Sequence, residues 1–170
     1  KNNQDTNNDK LSDWYSLNYF EYIELIHKIG RILIYLDSQL NDGISIYSSN
    51  CPEWLIVFLG SIGCGCRPTG IYPTDTLEQI TFKITDSNSK IVFVDNEEKA
   101  SLLFPLIEQK KITKIIVFDY SQRSLNKQEI VYFDKFLELD DLNNQFEIIK
   151  RQRSLTPDDI CCYIYTSGTT

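Results

Sequence analysis

Two short, continuous apolar runs, Lys90–Val94 (KIVFV) and Lys114–Phe118 (KIIVF), constrain the fold more than any other feature of the chain. Neither alternates apolar with polar, so neither is a strand with one wet face. Such runs read as strands covered on both sides, as in a parallel sheet flanked by helices. The segments around them are helical in period. Tyr22, Leu25, Ile26, Ile29, Ile32, Leu33, Leu36 and Leu40 share one face of a helix expected over residues 19–40. Glu21, Glu24, Lys28, Arg31 and Ser38 are expected on its opposite, solvated face, with Glu24 to Lys28 in the favourable i,i+4 orientation.

The rest of the chain alternates in the same way. Asn41-Asp42-Gly43 ends the first helix and delivers Ile44-Ser45-Ile46-Tyr47 as a strand. Asn50 is the expected N-cap of a helix over 52–64, with Pro52 and Glu53 in its first turn. Arg67-Pro68-Thr69-Gly70 reads as turn, and Thr74 or Thr76 starts a helix near 76–85. Residues 96–109 are helical apart from Pro105, which should kink or end the helix. Residues 121–127 read as an exposed loop, 134–139 as a short helix, and 140–153 as charged and weakly patterned. Residues 160–165 are the expected last strand, after strands near 44–48, 90–95 and 114–118. Strand and helix in alternation predict an α/β fold with a mostly parallel sheet, right-handed crossovers and helices on both faces. The polar residues 1–13 are an expected disordered lead-in, and 14–170 one folded unit.

Composition narrows the function. A net charge of -7 argues against non-specific grip on nucleic acid, which needs an excess of Lys and Arg. The 5 cysteines are an odd number without a secretory leader, so a reducing cytosol is expected rather than a disulfide framework. The longest apolar stretch, Trp54–Cys66, is broken by Gly60, Gly63 and Gly65 and falls short of a span, which needs about 20 residues. The chain opens on Lys1 and has 0 Met, from which an amino-terminal piece of a longer protein is expected.

The chemistry sits in the last six residues. The expected strand runs directly into Thr166-Ser167-Gly168-Thr169-Thr170. In open α/β sheets, ligands bind beyond the carboxyl ends of the strands. Gly168 lets the backbone approach a ligand closely, and successive N–H groups in such a turn form an anion-binding nest. Hydroxyls add donors for phosphate oxygens and oxygen ligands for a cation, which suits a polyphosphate with magnesium. By composition alone the same run is also a plain surface turn. There is no G-x-x-x-x-G-K-[ST], and Pro68 stands where Gly63-x-Gly65 would need its third glycine as a dinucleotide fingerprint.

Tyr165-Thr166-Ser167-Gly168-Thr169-Thr170 resembles the phosphate-binding signature of the adenylate-forming superfamily, usually Tyr-Thr-Ser-Gly-Thr-Thr-Gly-x-Pro-Lys-Gly. Pro157-Asp158-Asp159-Ile160 is similar to the family's approach to that loop. Ser49-Asn50-Cys51-Pro52-Glu53-Trp54 resembles its Asn-x-Pro-Glu-Trp element, and Gly70-Ile71-Tyr72-Pro73-Thr74 the Gly-Ile-Tyr element of long-chain acyl-CoA synthetases. Thr69-Gly70-Ile71-Tyr72 and the Cys161-Cys162 pair look most like the very-long-chain, bubblegum-like branch. The resemblance implies an ATP-dependent fatty acid:CoA ligase, with ATP, magnesium and coenzyme A as cofactors or co-substrates and a fatty acid as substrate. It implies that Thr166, Ser167, Gly168, Thr169 and Thr170 hold the phosphates, with Thr166 as a magnesium ligand. It implies a cytosolic place, peripheral contact at the endoplasmic reticulum or another membrane staying open. The family's later Gly-x-Pro-Lys-Gly, magnesium glutamate, ribose aspartate and carboxyl-terminal lysine do not occur within these residues. No catalytic acid, base, nucleophile or metal-ligand set is therefore assigned. Two alternatives stay open: another adenylate-former, such as an aryl-acid CoA ligase or amino-acid adenylation domain, and a truncated, non-catalytic interaction module.

Other tempting residues have plainer readings. His27 is a solvated or boundary residue without a base-orienting partner. Cys64, Cys66, Cys161 and Cys162 lack structural-zinc spacing and read as small buried hydrophobes. Trp14 and Trp54 read as packing residues, and Asp140-Asp141 and Asp158-Asp159 as solvated turn carboxylates.

Overall fold

A computed structural model describes residues 16–119, 121 and 123–166; the lead-in expected over 1–13 lies outside them. The first helix, α1 (Tyr19–Tyr35), begins where the sequence places it. Asn18 accepts from the Glu21 N–H at 3.0 Å while Glu21 accepts from the Asn18 N–H at 2.9 Å, a reciprocal capping box. It ends five residues before Leu40, because Asp37 turns left-handed (φ 65°). The Asp37 N–H then reaches Ile34 O at 2.9 Å and the Ser38 N–H reaches Leu33 O at 3.0 Å. These are the two closing bonds of a Schellman motif.

Five strands follow: β1 (Gly43–Tyr47), β2 (Arg67–Ile71), β3 (Ser89–Val94), β4 (Lys114–Val117) and β5 (Ile130–Tyr132). All pairings are parallel and the sheet order is β2-β1-β3-β4-β5. The two apolar runs pair as neighbours, Ile91 with Lys114 through Val94 with Val117. Between strands lie α2 (Pro52–Gly63), α3 (Leu77–Asp86), α4 (Glu97–Leu102) and α5 (Phe104–Glu108); α6 (Phe133–Leu137) and α7 (Gln145–Ser154) follow β5. Ile44, Ile46, Ile91, Phe93 and Ile116 point to one face of the sheet, packed with Ile29, Leu33 and Val57 of α1 and α2 and Phe136 of α6. Tyr47, Val92, Val94, Ile115 and Val117 point to the other, under Ile80, Ile84, Ala100 and Leu106 of α3, α4 and α5. Both faces are covered, which is why these strands read as unbroken apolar runs.

Several sequence expectations give way, each for an identifiable reason. Arg67-Pro68-Thr69-Gly70 is not a turn but most of β2. Proline is tolerated there because β2 is the edge of the five-stranded sheet, where a missing N–H costs no ladder bond. Residues 160–165 do not form a full strand; a single parallel bridge joins Tyr163 to Thr69. The helix expected over 96–109 divides at Leu103, with Pro105 in the first turn of α5. Cys51 rather than Asn50 is the N-cap of α2, with no side-chain capping bond, while Thr76 caps α3 in a box with Gln79.

Arg31 and Ser38 are buried, not solvated. The weakly patterned stretch 140–153 supplies the cover, through a 3-10 turn at Leu142–Asn144 and then α7. Arg31 donates two parallel hydrogen bonds to Asp140, at 2.7 and 2.8 Å, one to Gln145 at 2.8 Å and one to Glu24 at 2.9 Å. Asp140 is thus a buried-side partner rather than a solvated turn carboxylate. Arg151 of α7 donates to the carbonyls of Ser38 at 2.8 Å and Cys64 at 3.3 Å, just beyond α1 and at the end of α2. A cation suits these carbonyl-rich ends. Among the described residues no helix is long and apolar enough to cross a membrane.

Candidate functional site

The parallel sheet puts its ligand-facing edge at the carboxyl ends of the strands. Chain direction reverses across the sheet at β1: α2 leads to β2 on one side, and α3 then carries the chain over the other face to β3. The crevice between the β1 and β3 ends is already filled. Asp95 there accepts from the Ser49 N–H at 3.1 Å and pairs with Lys99 at 2.8 Å, and Lys99 lies 4.4 Å from the centre of the Tyr47 ring. Burial opposes charge on Asp95, but Lys99 and the Ser49 N–H outweigh it and hold the carboxyl below its ordinary range.

One strand over, outside β1 and β2, a cleft of about 590 Å³ opens. Its walls are Ser48–Asn50 from the β1–α2 turn, Trp54 and Phe58 of α2, Gly70–Pro73 at the end of β2, and Tyr163–Tyr165. Trp54 and Phe58 stack at 5.0 Å with planes 13° apart, forming an aromatic wall. Trp54 packs on the core as expected, and it also faces the cleft. A Cβ on Gly70 would come within 3.3 Å of Trp54 Cζ2, so the glycine gives the indole room against β2. The Asn50-Cys51-Pro52-Glu53-Trp54 and Gly70-Ile71-Tyr72-Pro73 motifs, apart in sequence, thus meet around one cavity.

The third wall carries the chain to Thr166. Thr156 and Asp159 form a turn, Asp159 accepting from the Thr156 N–H at 2.7 Å and its hydroxyl at 2.9 Å. Beyond it the Tyr163 N–H donates to Pro68 O at 3.1 Å. Tyr163 and Tyr165, two residues apart, anchor the segment on separate elements. Arg67 donates to the Tyr163 hydroxyl at 2.9 Å and to Asn41 at 2.7 Å. The Tyr165 hydroxyl donates to Asp86 at 2.6 Å. Burial and Asp86 push the Tyr165 phenol well above its ordinary pKa, so it remains a donor. Ile164, between them, is 78% exposed.

Of the residues expected to hold phosphate, Thr166 stands exposed at the end of this segment; Ser167, Gly168, Thr169 and Thr170 lie outside the described residues. The sequence reading missed Arg67, Lys83 and Asp86. A signal for Lys83 was present: it falls three residues after Ile80 and one before Ile84, on the buried side of α3. The cysteines divide between two places. Cys64 and Cys66 are buried with sulfurs 3.5 Å apart, and the neighbouring thiol and burial together push Cys66 far up in pKa. Cys161 and Cys162, sulfurs 3.7 Å apart, are not buried as expected: on the outer segment beyond the edge strand Cys161 is exposed and Cys162 half-buried. His27 is half-buried on α1, at the boundary expected of it.

Residues 2–170 match the AMP-binding enzyme family. The chain belongs to that family. This AMP-binding family member is similar to the long-chain-fatty-acid–CoA ligase ACSBG2 of Gallus gallus, at 30% identity over 165 residues, or 95% of this chain and 21% of that protein. It is likewise similar to the ACSBG2 ligase of Rattus norvegicus, at 27% identity over 158 residues, 92% of this chain and 24% of that one. In fold it resembles coronafacic acid ligase from Pectobacterium brasiliense, with a TM-score of 0.65 at 16% identity over 73% of this chain and 25% of that one. The chain therefore spans between a fifth and a quarter of the length of the curated relatives it matches.

Proposed function

We propose that the protein containing these residues is an ATP-dependent fatty acid:CoA ligase, and that this region supplies the wall and the start of its phosphate loop. The observation that carries the reading is the Tyr163–Tyr165 segment, latched beside the edge strand and lining the cleft, with Thr166 the next residue along the chain. The family match and the similarity to long-chain-fatty-acid–CoA ligases support it.

A carboxylate is a poor electrophile. In the proposed first step its oxygen attacks the α-phosphorus of ATP, the bond to the bridging oxygen of the β-phosphate breaks, and pyrophosphate leaves. In the second, the coenzyme A thiol gives up its proton to solvent, its sulfur bonds to the acyl carbon, and AMP leaves with the electron pair of the broken C–O bond. The protein's share is positioning and charge neutralisation. The exposed Thr166 hydroxyl fits as a donor to a phosphate oxygen and as an oxygen ligand. Magnesium, when bound, would neutralise the departing pyrophosphate, and Thr166 is the described residue suited to touch it. Neighbouring carboxylates are already engaged, Asp86 by Tyr165 and Asp75 by Lys83, so neither is offered as a metal ligand.

The test is pyrophosphate release by the full-length protein with Mg-ATP and each of hexadecanoate, an aromatic acid and an amino acid. Release with hexadecanoate, followed by acyl-CoA formation, is expected. Release only with the aromatic or amino acid would replace the fatty-acid reading. No release with any of them would remove the ligase.

A further inference from the structure

Three side chains from one stretch of α3 converge on Tyr165, the residue directly before Thr166. Asp86 accepts its hydroxyl at 2.6 Å. Phe82 meets its ring edge-on, with centroids 6.0 Å apart and planes at 78°. Lys83 lies 5.9 Å from the ring centre and 5.1 Å from that of Tyr72, held at 2.5 Å by Asp75. Asp75 in turn accepts from the Tyr72 N–H at 3.0 Å. A single helix thus grips both the end of β2 and the entry to the phosphate-binding signature.

The grip matters because little else holds that entry. The segment makes one β-bridge, at Tyr163, and nothing of the ladder extends to Tyr165. One bridge leaves the following peptide planes free to rotate, and a phosphate loop whose first residue wanders must be ordered by the nucleotide itself. We infer that Asp86 is a positioning residue for Mg-ATP, acting through the Tyr165 hydroxyl to fix the direction in which the chain enters Thr166. The inference rests on the reading of Thr166 as the start of an ATP phosphate loop. Asp86 touches no reacting atom. Its effect is exerted on loop order, and misplacement by about 1 Å is enough to weaken a positioned contact by tenfold or more.

The test uses the full-length protein in four forms, Asp86→Ala, Asp86→Asn, Tyr165→Phe and the Asp86→Ala/Tyr165→Phe double variant. Binding is read by titrating a fluorescent ATP analogue with magnesium and displacing it with ATP. The expected result is an affinity loss of about tenfold in Asp86→Ala and in Tyr165→Phe, with no further loss in the double variant, since both remove one contact. Asp86→Asn keeps an acceptor oxygen and should recover most of the affinity. The KM values for fatty acid and coenzyme A, and the unfolding midpoint, should stay unchanged. Unaltered ATP affinity in the single variants, losses that multiply in the double variant, or a rise in all three KM values with a lowered midpoint would each overturn the inference. The two readings fail separately. Intact ATP binding without carboxylate-dependent pyrophosphate release removes the ligase assignment alone; absent ATP binding in the unsubstituted protein removes both.

Discussion

Glu97, at the start of α4, accepts from the Ser124 hydroxyl, the Ser124 and Leu125 N–H groups at 2.7 and 3.2 Å, and the Tyr132 hydroxyl. Those donors, the Ser124 hydroxyl foremost and then Tyr132, hold its carboxyl down at about 2 against some burial. A depressed carboxylate contributes where it is ionised in both states. The latch on the 124–125 loop should therefore be at full strength above about pH 4.3 and fade as pH falls toward about 2. Glu97→Gln should loosen the loop at neutral pH, and the difference from the unsubstituted protein should vanish near the acid end. Amide exchange at Ser124 and Leu125, followed against pH in both proteins, checks this. Arg31 is a different case, being 2% exposed with its Asp140 partner at 16%. Arg31→Ala leaves that carboxylate unpaired under α7 and should cost about 3 to 5 kcal/mol. Arg31→Lys should recover only part, because one ammonium cannot make the paired bonds to Asp140 and still reach Gln145 and Glu24. Urea unfolding midpoints of the three proteins settle the order.

Three helices end on the same motif with different residues in the left-handed position: Asp37 after α1, Gly65 after α2 and Lys110 after α5. At Gly65 the φ of 82° favours glycine, and an added Cβ would also have to displace a methyl of the half-exposed Leu40, 2.4 Å away. At Lys110 the backbone makes the same bonds, to Ile107 O at 2.8 Å and from the Lys111 N–H to Leu106 O at 2.9 Å, with φ 57°. An L side chain is strained there, so Lys110→Gly should stabilise the protein by roughly 0.5 to 1 kcal/mol, read as a raised thermal midpoint. The same chemistry explains what was legible at this scale. Lys90–Val94 and Lys114–Phe118 announced central strands because two faces bury them, and Thr76 and Asn96 announced helix starts because their oxygens accept from the third N–H of α3 and α4. β2 stayed hidden because Pro68 and Gly70 obey edge-strand rules that resemble turn rules. α7 stayed hidden because the two residues it buries are one apolar, Ile148, and one charged, Arg151, which leaves no apolar period to read. Of the site, the loop signature and both cleft motifs were visible as motifs. Tyr165 on Asp86 and Tyr163 on Arg67 were not, since each joins residues 79 or 96 positions apart through a single polar contact.

Across the molecule, burial and strand pairing decline from the middle of the sheet toward the β2 edge. β1 is buried at all five positions and paired on both sides, and β3 is likewise flanked, by β1 and β4. Among the described residues the β2 edge has only the Thr69–Tyr163 bridge outside it, and the segment it supports exposes Ile160 at 54% and Ile164 at 78%. Local opening free energies follow this density of buried contacts and paired amides. Amides of β1 and β3 should therefore exchange slowest, and those of residues 160–166 among the fastest, with the Tyr163 N–H slower than its neighbours. The proposed nucleotide binding adds a second condition to the gradient. A ligand that engages only the closed segment stabilises it by its own binding free energy. Saturating Mg-ATP should then slow Tyr163–Thr166 by about tenfold or more, equivalent to roughly 1.4 kcal/mol, and leave β3 and β4 unchanged. Hydrogen exchange of the full-length protein with and without Mg-ATP measures both. Protection spread evenly over the sheet would mean that the nucleotide stabilises the whole domain rather than its loop entry, and protection confined to β4 and β5 would place the ligand at the other end of the sheet from this cleft.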